Sequence, residues 1–121
     1  MYAMFIDDER FPSSNVFWIG ENENLTKVRM IIARSSIEAI HHFDVDGCPA
    51  FISFDHDLGG EDHAMKVVHD LIERDLNMEG NFIPKEFKYY VHSQNCVGVQ
   101  NIRGLLDGYL EHKKRESCIW E

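Results

Sequence analysis

The sequence predicts an α/β domain: a mostly parallel sheet of about four strands in the order 2-1-3-4, flanked by helices. Three observations predict it. Short apolar runs rich in aromatic and β-branched residues alternate with stretches whose apolar residues recur at helical spacing. That alternation marks βαβ units with parallel pairing and right-handed crossovers. Two of the runs, Met4-Phe5-Ile6 and Phe51-Ile52-Ser53-Phe54, end abruptly in charge, at Asp7-Asp8 and at Asp55-His56-Asp57. Parallel sheets place ligand sites at the carboxyl ends of their strands, and in this order the first and third ends meet at the switch point.

The first strand is expected over about 2–7. In Phe11–Thr26, Pro12-Ser13-Ser14-Asn15 and Gly20-Glu21-Asn22-Glu23-Asn24 are turn formers around Val16–Ile19. The segment reads as a loop carrying Trp18 onto the sheet, or as a short helix. The second strand follows over about 27–33. Ser35 with Glu38 three residues later makes a capping box, so a helix runs from about 36 to 43 with Ile37, Ile40 and Phe43 inward. The third strand spans about 51–55, and Gly59-Gly60 reads as a loop. A helix over about 62–75 puts Ala64, Val67, Val68 and Leu71 on one face. Asn77–Pro84 is a loop before the fourth strand at about 87–92. A last helix over about 98–113 repeats Val99, Ile102, Leu105, Leu106, Tyr109 and Leu110 inward. The tail after Lys113 is either frayed or a short extra strand docked by Trp120. These stripes are core positions, not cofactor contacts.

A chain of 121 residues fits a single domain over 1–121. Its net charge of −9, from 21 acidic against 12 basic residues, argues against binding duplex DNA. A nucleotide or RNA end remains compatible, because a bound cation supplies the missing positive charge. Cys48, Cys96 and Cys118 are widely spaced, with no zinc spacing, and read as reduced thiols. No signal peptide or membrane-length apolar run is evident. The expectation is a soluble, cytoplasmic protein.

Asp7, Asp8, Asp55 and Asp57, brought together, would repel one another unless a cation joined them. Their hard oxygen donors suit Mg²⁺ or Mn²⁺. If the third strand reaches residue 57, Asp55 and Asp57 share one face and His56 points to the other. Each aspartate alone also reads as a helix cap or turn residue. The fourth strand ends in His92-Ser93-Gln94-Asn95, at the same edge. His92 has the imidazole chemistry of a general acid or base. Ser93 and Asn95 can hydrogen-bond phosphate oxygens, and Asn95 equally well caps the next helix. His56 reads as a second proton-transfer group, or as a histidine satisfied by backbone partners. His41, His42, His63, His69 and His112 are assigned to the surface. Arg10 binds an anion or neutralises the acidic cluster. Cys96 has no basic neighbour to activate it and is not proposed as a nucleophile.

Phe5-Ile6-Asp7-Asp8-Glu9-Arg10, Ser36-Ile37-Glu38-Ala39, Ile52-Ser53-Phe54-Asp55-His56-Asp57-Leu58-Gly59 and Val91-His92-Ser93-Gln94-Asn95 with Gly98 resemble, in that order, the cyclic-phosphate processing receiver-like domain family. The similarity spans about residues 3–110. It implies a compact receiver-like three-layer sandwich, shortened at its C-terminal end, in a bacterial cell or phage-infected host. It also implies a metal-dependent phosphoesterase acting on a cyclic phosphate, either a 2′,3′-cyclic RNA end in RNA repair or a small cyclic nucleotide. In that scheme Asp7, Asp8 and Asp55 hold Mg²⁺ or Mn²⁺, and Asp57 completes or orients the shell. His92 and His56 move protons, while Ser93, Asn95 and Arg10 take the phosphate. A second reading is a stand-alone receiver phosphorylated on Asp55, although His92 precedes Ser93 and no fifth strand ending in a receiver-type lysine is found. A third is a binding protein without catalysis, its protein partner left open.

Overall fold

Tyr2–Ile6 (β1) is buried at every position, the environment of a central strand in a parallel sheet. The computed structural model describes residues 2–11 and 29–120, with side chains to residue 115. β2 (Arg29–Ala33) lies on one side of β1, and β3 (Phe51–Phe54) on the other. β4 (Lys88–Val91) lies beyond β3. All pairings are parallel, and the order β2-β1-β3-β4 is the predicted one. The register sets Phe5 beside Ser53, and Ser53 beside Tyr90.

The sheet pattern runs one residue past three of these strands. Asp7 N–H donates to the Ala33 carbonyl at 3.1 Å, Asp55 N–H to Ile6 at 2.9 Å and His92 N–H to Phe54 at 2.8 Å. Phe5, Asp7, Ser53, Asp55 and His92 therefore leave the sheet on one side, since side chains two apart share a face. Met4, Ile6, Ile52 and Phe54 occupy the other side and join the core beneath the helices.

Three helices cover that core. α1 (Ser36–Asp46) starts at the expected cap, with the Glu38 N–H donating to Ser35 Oγ at 3.1 Å. Its inward face is Ser36, Ala39 and Phe43, while Ile37 is 78% exposed, which corrects the expectation that Ile37 points in. The cause is local. Asp62 accepts both the Ser36 N–H at 2.9 Å and the Ser36 hydroxyl at 2.6 Å, and with position 36 held inward the next residue turns out. α2 (Met65–Asn77) buries Val67, Val68 and Leu71 as predicted, with Ala64 just before it.

α3 (Cys96–Trp120) buries Ile102 and Leu106 and packs Val99, Leu105, Tyr109 and Leu110 against the core. It continues as helix through the tail expected to be frayed or a short strand. Residues 111–119 contain no glycine or proline, and Arg115 pairs with Glu111 one turn earlier at 3.4 Å, so nothing stops propagation. Docking by Trp18 or Trp120, the loop-or-helix question for residues 12–26 and the first residues of the expected second strand lie outside the described residues. Among the described residues no helix is long and apolar enough to cross a membrane.

One polar cluster sits at the amino edge of the sheet. Asp75, on α2, is fully buried. Its Oδ1 accepts the N–H groups of Phe82 (3.0 Å) and Ile83 (2.7 Å). Its Oδ2 accepts the Tyr109 hydroxyl at 2.6 Å and lies 2.9 Å from Lys113 Nζ. The residue ties the loop before β4 to α2 and α3.

Candidate metal and phosphate site

At the opposite edge, β1 ends in Asp7, whose carboxylate is almost completely buried. Its Oδ1 accepts the N–H groups of Glu9 (2.9 Å) and Arg10 (2.8 Å), which folds the chain into a tight turn. Its Oδ2 lies 2.9 Å from Arg10 Nε and 3.1 Å from His92 Nε2. Burial alone would raise the pKa of Asp7. The Arg10 and Glu9 N–H groups, His92 and the Arg10 charge outweigh it and hold the carboxyl below the ordinary range. Arg34 fixes the loop from outside, donating to the Asp7 carbonyl at 3.0 Å and to the Arg10 carbonyl.

Asp55 is also buried, and Arg10 Nη2 approaches its Oδ2 at 3.4 Å. The Arg10 side chain is 51% exposed, so one half-exposed guanidinium spans two buried carboxylates. One ligand atom each from Asp7, Asp55 and His92 lies within 4.8 Å of the others. This is the convergence of distant segments that the sequence predicted. Asp8, expected among the ligands, lines the cavity wall outside that group. Gly59 has φ +88°, a backbone that favours glycine, and a Cβ there would stand 3.1 Å from Asp8 Oδ2, so that carboxylate would have to give by a few tenths of an ångström.

His92 is sandwiched. Its ring stacks on Phe5 at 4.6 Å and 3°, and its Nδ1 lies 2.7 Å from Ser53 Oγ. Burial, the largest influence, pushes its pKa below the usual imidazole value despite the hydrogen bond to Asp7 and the charges of Asp55 and Asp7.

β3 stops at Phe54, so the shared-face argument for Asp55 and Asp57 does not apply. Asp57 reaches the rim through a turn bridged to His63. Its exposed carboxylate contacts His56 Nδ1 at 3.0 Å and accepts from Asn95 Nδ2 at 3.2 Å. Those two hydrogen bonds, His56 first, keep Asp57 below the ordinary carboxyl range. His56 sits against Gly98, where a Cβ would come within 2.3 Å of the ring, and stacks on His63 at 5.8 Å. His63 is thus half-buried beside the site, not on the surface as expected. The bridge to Asp57 draws it in.

Of the two roles considered for Asn95, the helix cap is present. Its Oδ1 accepts the Gly98 N–H at 3.0 Å and caps α3, while its Nδ2 faces Asp57. Ser93 Oγ accepts the Asn95 N–H at 3.1 Å. Asp7, Asp8, Glu9, Arg10, Asp55, Asp57, Ser93, Gln94 and Asn95 line a cavity of about 290 Å³. His92 and His56 lie outside that lining, His92 in contact with Asp7 and His56 with Asp57. Two contributors escaped the sequence reading. Gln94 carries no distinctive signal. Ser53 does: a hydroxyl in the middle of a fully buried apolar run needs a partner.

Two carboxylates and an imidazole within ligand distance of a common point fit a divalent cation, and the guanidinium of Arg10 shows that the place attracts positive charge. The model of one family, the cyclic-phosphate processing receiver domain, matches residues 2–108. No curated protein and no solved structure matches.

Proposed function

This chain belongs to the cyclic-phosphate processing receiver domain family, and on that premise we propose that it is a metal-dependent phosphoesterase opening a cyclic phosphate. The substrate class is a 2′,3′-cyclic end on RNA or a small cyclic nucleotide. The single observation that carries the reading is the meeting of Asp7, Asp55 and His92 beside a cavity lined by Arg10, Ser93 and Asn95, whose side chains have the donors a phosphate needs.

In this reading Asp7 and Asp55 hold Mg²⁺ or Mn²⁺, with Asp8 placed to orient its waters. When bound, the ion supplies charge neutralisation for the phosphoryl oxygens and a lowered pKa for a nearby water. Arg10, released from the carboxylates, joins Ser93 and Asn95 in holding the phosphate. Asp57, ionised and braced by His56 and Asn95, orients the attacking water and takes its proton. A water oxygen adds to phosphorus, one ring P–O bond breaks, and the departing oxygen gains a proton to leave a phosphate monoester. His56 is the relay for that second proton, its Nδ1 shared with Asp57.

The test is incubation with Mg²⁺ or Mn²⁺ and 2′,3′-cyclic mononucleotides or cyclic-ended RNA, following monoester formation by ³¹P spectroscopy. Monoester formed in the presence of the ion supports the reading. No product with either metal on any of these substrates overturns it.

The receiver alternative has one observation in its favour, the placement of a buried Asp55 after β3. Against it, no lysine among the described residues lines the cavity, and Lys113 is engaged with Asp75. Acetyl phosphate separates the two, since a receiver accumulates an acyl phosphate on Asp55.

A further inference from the structure

The buried hydroxyl of Ser53 has one polar partner among the described residues, His92 Nδ1 at 2.7 Å. The other ring nitrogen faces Asp7 Oδ2 at 3.1 Å. That oxygen is a carboxylate acceptor already drawing on Arg10, so the hydrogen between them belongs to Nε2. Hydrogen accounting then fixes the rest. A proton on Nδ1 would oblige Ser53 to accept, leaving the hydrogen of a fully buried hydroxyl without an acceptor among the described residues. With Nδ1 bare, Ser53 donates and every group is satisfied. The register makes this a built arrangement: Phe5 and Ser53 are paired neighbours on β1 and β3, and the ring lies flat on Phe5 at 3°.

We propose that Ser53 is a positioning residue that donates to His92 Nδ1 and keeps it bare, so that with the proton on Nε2 facing Asp7 the ion site is made of carboxylate oxygens and the imidazole stands behind Asp7. This rests on the ion-binding reading above and narrows it. Coordination through Nε2 needs that nitrogen bare, and the geometry opposes it by orphaning the Ser53 hydrogen. A hard, oxygen-seeking cation is favoured over Zn²⁺, which draws on imidazole. The arrangement is the reverse of the usual carboxylate–histidine–metal relay, because here the histidine donates to the carboxylate and the carboxylate meets the ion.

The experiment is a long-range ¹H–¹⁵N spectrum of histidine-labelled, metal-free protein, comparing wild type with Ser53→Ala and Ser53→Thr. Wild type and Ser53→Thr are expected to show one fixed form with the proton on Nε2. Ser53→Ala is expected to keep the proton on Nε2, because Asp7 still accepts it, and to move the Nδ1 resonance to that of a bare nitrogen without a donor. A wild-type ring protonated on Nδ1, or a Ser53→Ala spectrum identical to wild type, overturns the proposal even if Ser53→Thr does not fold. Titration with Mg²⁺ reads the consequence: the Nε2–H signal of wild-type His92 persists when the ion binds. Loss of that signal on ion binding also counts against it. Failure to bind any ion would sink the phosphoesterase reading, while the wild-type spectrum still judges Ser53.

Discussion

Asp7 and Asp75 are both sealed from solvent, and each carboxylate receives two backbone N–H groups on one oxygen and two side chains on the other. Around Asp75 the side-chain partners are Tyr109 and Lys113, and the Lys113 ammonium also donates to the Ile83 carbonyl at 3.0 Å. That cluster is closed on itself. Around Asp7 the partners are His92 and a half-exposed Arg10 shared with a second buried carboxylate, Asp55. The comparison teaches that burial and saturation of a carboxylate do not signal function. A removable counter-charge, shared between two acids beside a cavity, does.

The largest expected effect separates the two regions by activity. Asp55→Asn lowers kcat/KM on a 2′,3′-cyclic nucleotide by about a thousandfold or more, with little change in thermal midpoint. Asp75→Asn does the reverse. It costs about 3 kcal/mol of stability by leaving Lys113 facing an uncharged buried amide, with turnover per folded molecule unchanged. Denaturant unfolding and steady-state kinetics on the same preparations check both. A folded, inactive Asp75→Asn protein would break the comparison.

Acid sensitivity sharpens it. Asp75 is held below the ordinary carboxyl range: burial would raise its pKa, but Tyr109, the Ile83 N–H and Lys113 lower it further. A depressed folded pKa gives stability that is present above the unfolded value and lost as pH falls through it. Urea midpoints of wild type should therefore drop from about pH 5 downward, and the slope should be shallower in Asp75→Asn.

Arg10→Gln tests whether the counter-charge is removable. Ion affinity should rise roughly fivefold, a modest change because a half-exposed arginine is a weak competitor, while phosphate binding weakens. Calorimetric titration with Mn²⁺ and then with phosphate reads both. The smallest effect is at Cys48. Its thiol is pushed up to about 12 by burial and by the charge of Asp75. Iodoacetamide should modify exposed Cys96 first and Cys48 only when the Asp75 cluster opens.

Much of this was legible in the sequence. The parallel pairing follows from alternation of apolar runs with helical stripes, the order 2-1-3-4 is the arrangement expected for such units, and Asp7, Asp55 and His92 follow from charge placed at the ends of those runs. What was not legible depends on partners distant in sequence. Ile37 turns out because Asp62, in another loop, holds Ser36 in. His63 joins the site through a bridge to Asp57. Asp75 has no local mark distinguishing it from a solvated helix carboxylate, because its partners lie on a later loop and on α3.

Arg34 closes the turn that carries Asp7 and Arg10 from the end of β2, which among the described residues is an edge strand with a partner on one side. Edge strands fray before central ones, since half their ladder is missing. Gentle warming should thus disarm the rim while the helices still hold together, and inactivation should precede melting.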